Sequence, residues 1–194
     1  MKRNTARSLA LTLTLVRVPL GVVFLLWLYF EGAQTHLWGL IALLGLIELT
    51  DLLDGSIARR NNAVTELGAT LDPWADSTTR TIIYISLAIA GRTSLALPLI
   101  MAMRDVTVAY TRIVFVGHKG TAAARISGKV KAWVQGVGAF VLLCGPLFGA
   151  GKDYYVLTGW IVGVVTVVSA SEYIFSALRI LIVDDTNGES KNPE

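Results

Sequence analysis

Six apolar stretches, each near or above the ~20 residues that cross a bilayer as a helix, limit what this chain can fold into. They run from Leu9 to Phe30, Leu37 to Ile57, Ala69 to Ala90, Leu95 to Val116, Val130 to Ala150 and Tyr154 to Val183. Inside lipid, backbone N–H and C=O groups must pair within their own segment, so such runs form α-helices. The breaks between them carry turn residues or charge: Glu31-Gly32, Asn61-Asn62, Gly91-Arg92, Gly117-His118-Lys119-Gly120 and Gly151-Lys152-Asp153. Only 16% of the 194 residues are charged, against about 25% in a soluble domain. The expectation is an all-α integral membrane protein with six transmembrane helices and a short N-terminal interfacial segment. Residues 1–183 form one membrane domain, and residues 184–194 a polar tail.

Basic residues set the orientation. Lys2, Arg3 and Arg7, then Arg59 and Arg60, then Lys119, Arg125, Lys129 and Lys131 fall on one side; the opposite connections hold Arg92 and Lys152. The positive-inside rule predicts a multi-pass protein of the cell membrane with both termini in the cytoplasm. No cleavage-site pattern follows the first basic residues, so the first apolar run is expected to stay attached. A net charge of +3 gives no reason to expect nucleic acid, and the single Cys144 excludes an internal disulfide.

Against this background, charges inside the apolar segments are costly and mark function. Asp51, Asp54, Gly55, Ala58, Arg59, Gly68, Asp72 and Asp76 form the pattern D-x2-D-G-x2-A-R-x8-G-x3-D-x3-D. The members of each acidic pair, three and four residues apart, share a helix face. One such pair is ordinarily a solvated face. Two pairs on facing helices would repel one another unless neutralised, and two oxygen-preferring cations, Mg²⁺ or Mn²⁺, would relieve them. Gly55, Ala58 and Gly68 lack bulk, and Arg59 offers a planar fork for phosphate oxygens. In the expected topology these residues, with Arg104, Arg112 and Lys129, meet at the cytoplasmic level in one polar cavity. Arg104 and Arg112, eight apart, share a face and suit an anionic acceptor group such as a phosphate. The competing reading makes Arg112, Lys129 and Lys131 topology anchors.

Position for position, the eight-residue pattern resembles the signature of the CDP-alcohol phosphatidyltransferase family, integral-membrane enzymes that use a CDP-linked lipid and an alcohol acceptor. The resemblance implies that Asp51, Asp54, Asp72 and Asp76 hold two metal ions and that Asp76 is also the base. It implies that Gly55, Ala58, Arg59 and Gly68 shape the nucleotide pocket, with Thr14 of a Thr14-x2-Arg17 motif. Arg104-Asp105, Arg112, Gly128-Lys129-Val130-Lys131, Asp72-Pro73-Trp74-Ala75-Asp76 and Ser171-Glu172-Tyr173 resemble the subgroup whose acceptor is glycerol 3-phosphate. That resemblance implies transfer of a phosphatidyl group from CDP-diacylglycerol to glycerol 3-phosphate, with release of CMP. It assigns the acceptor phosphate to Arg104, Arg112 and Lys129, and it implies a homodimer. The alternatives are another acceptor (inositol phosphate, serine or another lipid) or a divalent-ion transporter, which has no use for a cytidine-sized pocket.

The chain departs from the subgroup at Leu11, Ser77 and Arg80. Arg80 follows Asp76 by one helical turn, where an apolar residue is usual. It is expected to pair with Glu48, one turn from Asp51 on the antiparallel helix, or to replace the basic charge missing at Ser77. His36 and His118 lack metal-ligand company and read as solvated. Trp27, Trp38, Trp74, Trp133 and Trp160 read as packing or interface residues.

Overall fold

A computed structural model describes residues 3–31, 36–60, 65–117 and 126–189, with side chains described over most of them. Six helices follow one another: α1 (Arg3–Glu31), α2 (Leu37–Arg60), α3 (Glu66–Ile89), α4 (Ala96–Gly117), α5 (Ile126–Cys144) and α6 (Lys152–Glu189). There is no strand among the described residues. Each helix lies on one of the six apolar stretches. The N-terminal segment is not a separate element, because from Arg3 onward it forms the first turns of α1. At the other end α6 continues past Asp184 to Glu189. The breaks at Asn61-Asn62 and at His118-Lys119-Gly120 lie outside the described residues, as does 190–194.

α5 stops at Cys144, short of the predicted Ala150. Pro146 has no N–H to give and its ring crowds the preceding turn, so the chain tightens into a 3₁₀ turn over Gly145–Phe148. Gly149 then takes a left-handed conformation (φ 62°), which costs a glycine little. Arg92, buried in the α3–α4 connection, donates from Nη1 to Leu143 O at 2.6 Å. A cation thus caps the negative end of α5. At the start of α3, Thr65 is extended (φ −130°, ψ 153°), and its Oγ1 accepts from Gly68 N at 2.9 Å. That N-cap satisfies one of the orphan donors of the first turn.

α1 packs on α2 and α3, α6 packs on α4 and α5, and α3 joins the two groups through α4 and α5. The shared core contains Phe24, Leu40, Leu44, Ile83, Leu87, Met101, Leu142 and Val162. Outside, Phe30, Trp38, Tyr110, Trp133, Phe148, Trp160 and Phe175 are all exposed. An apolar exterior on this scale fits lipid rather than water. Among the described residues, Arg7–Phe30, Ser127–Phe148 and Lys152–Arg179 are long and apolar enough to cross a membrane. The other three helices, α2 to α4, carry the charged residues Glu48, Asp51, Asp72, Asp76, Arg80, Arg104, Asp105 and Arg112.

Candidate active site

Three helices set Asp51, Asp72 and Asp76 of the acidic motif against two buried arginines. Arg17 of α1 places Nη1 2.7 Å from Asp51 Oδ1 on α2 and Nη2 3.7 Å from Asp72 Oδ1 on α3. Arg80 of α3 places Nε 2.8 Å from Asp76 Oδ1, one turn back on its own helix. Its two terminal nitrogens each lie 3.3 Å from a different oxygen of Glu48. Nη2 is also 4.0 Å from Asp51 Oδ2. Asp51 therefore stands between both guanidinium groups. The physical reason is mutual: buried arginines require anions, and clustered carboxylates require cations. The expected Arg80–Glu48 pair is present, and Arg80 engages Asp76 as well.

The residues expected to form the nucleotide pocket are placed in part. Thr14 is buried one turn before Arg17, and its hydroxyl donates to Ala10 O at 3.1 Å. Gly68 lies in the first turn of α3, where a Cβ would stand 3.0 Å from the capping Thr65 Oγ1. Its small size thus serves the helix cap as well as any ligand nearby. Asp54, Gly55, Ala58 and Arg59 belong to the last turns of α2, and their side chains lie outside the described residues.

The donor chemistry fits hard divalent cations, since the motif offers carboxylate oxygens only. Among the described residues no three acidic, histidine or cysteine side chains gather at one point. Asp51, Asp72 and Asp76 are held instead by Arg17 and Arg80, and the fourth motif carboxylate, Asp54, is not described.

A second cluster adjoins the first through Ser77, the neighbour of Asp76. Ser77 Oγ donates to Asp105 Oδ2 at 2.6 Å. The other oxygen of Asp105 lies 2.7 Å from Arg104 Nη1 and 3.1 Å from Lys131 Nζ. Arg104 Nη2 donates to Ser169 Oγ at 2.7 Å, and its guanidinium lies 5.5 Å from the centre of the Tyr173 ring. The contact falls in the cation–π range. A Cβ on Gly128 would come 3.4 Å from the Tyr173 hydroxyl and 3.9 Å from Arg104 Nη2. The Nε atoms of Arg104 and Arg112 are buried without a hydrogen-bond acceptor among the described residues. Such donors suit an anion.

Sequence reasoning named Arg104, Arg112 and Lys129 for this cluster. Lys129 is exposed, whereas Lys131 is buried against Asp105. Two residues apart on a helix is about 200° of rotation, so the two lysines cannot share a face. Asp105 and Tyr173 were visible as parts of motifs without a role, Lys131 was read only as a topology anchor, and Ser169 was not singled out. The Ser77 contact depends on how α3 meets α4, which no local pattern encodes.

The chain is similar in sequence to known proteins. The family described as CDP-alcohol phosphatidyltransferase matches residues 7–171. A probable phosphatidylglycerophosphate synthase of Mycobacterium tuberculosis is 34% identical over 185 residues, covering 91% of this chain and 85% of that protein. The CDP-diacylglycerol–glycerol-3-phosphate 3-phosphatidyltransferase of Bacillus subtilis is 30% identical over 178 residues, covering 83% of this chain and 90% of that protein. A CMP-forming cardiolipin synthase of Rattus norvegicus is 33% identical over 166 residues, covering 76% of this chain and 54% of that protein.

Proposed function

The chain belongs to the CDP-alcohol phosphatidyltransferase family, and from that premise we propose that it moves the phosphatidyl group of CDP-diacylglycerol onto glycerol 3-phosphate and releases CMP. The observation that carries this reading is the step from Asp76 to Ser77. Asp76 belongs to the acidic network, and Ser77 touches the Asp105 that aligns Arg104 and Lys131. A base and an anion-binding cluster thus stand side by side, as an acceptor with one hydroxyl to activate and one phosphate to hold would require. The names of the bacterial relatives point to the same acceptor.

Asp76 takes the proton of the acceptor hydroxyl. The freed oxygen attacks the lipid-side phosphorus, a new P–O bond forms, and the P–O bond to CMP breaks. Arg104 and Arg112 hold the acceptor phosphate, and the exposed Lys129 assists at the cavity mouth. Thr14, Gly55, Ala58, Arg59 and Gly68 form the nucleotide pocket. Asp51, Asp54, Asp72 and Asp76 would hold two Mg²⁺ or Mn²⁺ ions, whose charge offsets that of the diphosphate. Holding both substrates in line can itself supply about 7–11 kcal/mol of the barrier reduction. The chain would span the membrane six times as one domain, site and both termini facing the cytoplasm, and act as a homodimer.

A second reading comes from the cardiolipin synthase relative, with a lipid as acceptor. Purified protein supplied with CDP-diacylglycerol and Mg²⁺ separates the readings when glycerol 3-phosphate, phosphatidylglycerol, serine and inositol phosphate are offered singly. CMP release with glycerol 3-phosphate, together with a phosphatidylglycerophosphate product, is expected. Release only with another acceptor replaces the proposal. Chelation should abolish turnover and Mg²⁺ or Mn²⁺ restore it; full activity after verified metal removal would sink the metal assignment.

A further inference from the structure

Arg80 is the buried charge that the family pattern leaves unexplained. All three guanidinium nitrogens engage carboxylates of this protein: Nε meets Asp76 Oδ1 at 2.8 Å, and Nη1 and Nη2 meet the two oxygens of Glu48 at 3.3 Å each. A substrate that took the place of any of these contacts would break a carboxylate pair. A guanidinium is planar, so a two-point hold by Glu48 fixes the plane and the direction of the Nε–H. The Nε–H in turn fixes Asp76, whose carboxylate torsion is otherwise broad. α5 closes the arrangement from a third side: a Cβ on Gly136 would lie 3.1 Å from Arg80 Nη1 and 3.3 Å from Glu48 Oε2. Among the described residues no hydrogen bond reaches Asp76 Oδ2, the oxygen left for an incoming hydroxyl.

Resting on the assignment of Asp76 as the base, we propose that Arg80 is a positioning residue for Asp76, locked by Glu48 and by the close approach of α5 at Gly136. It touches no reacting atom. It holds Oδ1 so that Oδ2 meets the acceptor hydroxyl, and three helices share the task.

The test uses the full chain, purified, in four single variants: Glu48→Gln, Arg80→Lys, Gly136→Ala and Asp76→Asn. The first three are then each combined with Asp76→Asn. Thermal stability, CDP-diacylglycerol binding, kcat and both KM values are measured. A base displaced by about 1 Å can cost ~100-fold, so each of the first three should lower kcat by roughly 10- to 100-fold, with both KM values and CDP-diacylglycerol binding within about 3-fold. In the Asp76→Asn background the same changes should cost less than about 3-fold, because residues acting through one group are not additive. Equal losses in both backgrounds would make the role structural and overturn the proposal. A rise in either KM would make Arg80 a ligand and overturn it as well. So would near-parental kcat in folded Glu48→Gln and Arg80→Lys. If Arg80→Lys does not fold, Glu48→Gln and Gly136→Ala decide. Near-normal turnover by Asp76→Asn removes the base assignment itself, an outcome distinct from any failure of Arg80.

Discussion

At the scale of single residues, one carboxylate and two cations define the second cluster. Asp105 accepts from Ser77, Arg104 and Lys131 together. Arg104 also reaches Ser169 and Tyr173, which leaves its Nε as the donor without an acceptor. Arg104→Ala should therefore raise the KM for glycerol 3-phosphate by roughly 10- to 100-fold, the equivalent of about 1.5–3 kcal/mol for a hydrogen bond to a charged group. The KM for CDP-diacylglycerol should change little. Equal effects on both substrates, measured by steady-state kinetics, would return Arg104 to a purely structural role. The two lysines of the same motif should separate in kind. Lys131→Met removes a buried partner of Asp105 and should lower thermal stability, whereas Lys129→Ala should leave stability intact, since its side chain is exposed.

At the scale of helices, small residues decide how closely charge-bearing elements meet. A Cβ on Gly138 of α5 would fall 2.6 Å from Val162 Cγ2 on α6 and 2.8 Å from the Tyr84 hydroxyl on α3. That hydroxyl donates to Gln135 O at 2.8 Å, and Gln135 Nε2 donates to Thr166 Oγ1 at 3.0 Å. α3, α5 and α6 are thus tied by a buried polar chain that tolerates no added bulk. Gly138→Ala should cost about 1–3 kcal/mol through overpacking, read as a lower unfolding temperature in detergent. An unchanged midpoint would show that α6 can move away freely. How far this was legible in the sequence differs by element. The apolar runs located all six helices, and turn spacing alone aligned Glu48 with Arg80, because antiparallel neighbours bring residues one turn beyond each acidic pair to the same depth. The end of α5 was missed, although Pro146 was the signal for it. Lys131 and the Ser77–Asp105 contact were missed for another reason: they depend on the rotation and register of packed helices, which hydrophobic period does not specify.

At the scale of the whole molecule, the described charges segregate towards one end. Asp51, Asp72, Asp76, Arg80, Arg104 and Lys131 belong to the two joined clusters. Arg92 stands apart from them, at the far end of α3 beside the C-terminus of α5. An apolar exterior surrounds both. A water-soluble acceptor can reach the clustered end only from the aqueous side that this end faces, while acyl chains stay in lipid. We propose that this side is the cytoplasm, since loop Lys and Arg are retained there during insertion. Cysteine labelling tests the assignment directly. In a Cys144→Ala background, Thr5→Cys and Lys152→Cys each introduce one thiol at an exposed position, at opposite ends of the helices. A membrane-impermeant maleimide added to intact cells should label Lys152→Cys and spare Thr5→Cys until the membrane is opened. Labelling of Thr5→Cys alone in intact cells would invert the molecule and put its site outside. Labelling of both would mean that residues 5 and 152 lie on the same side, which breaks the odd count of crossings between them and with it the six-span topology.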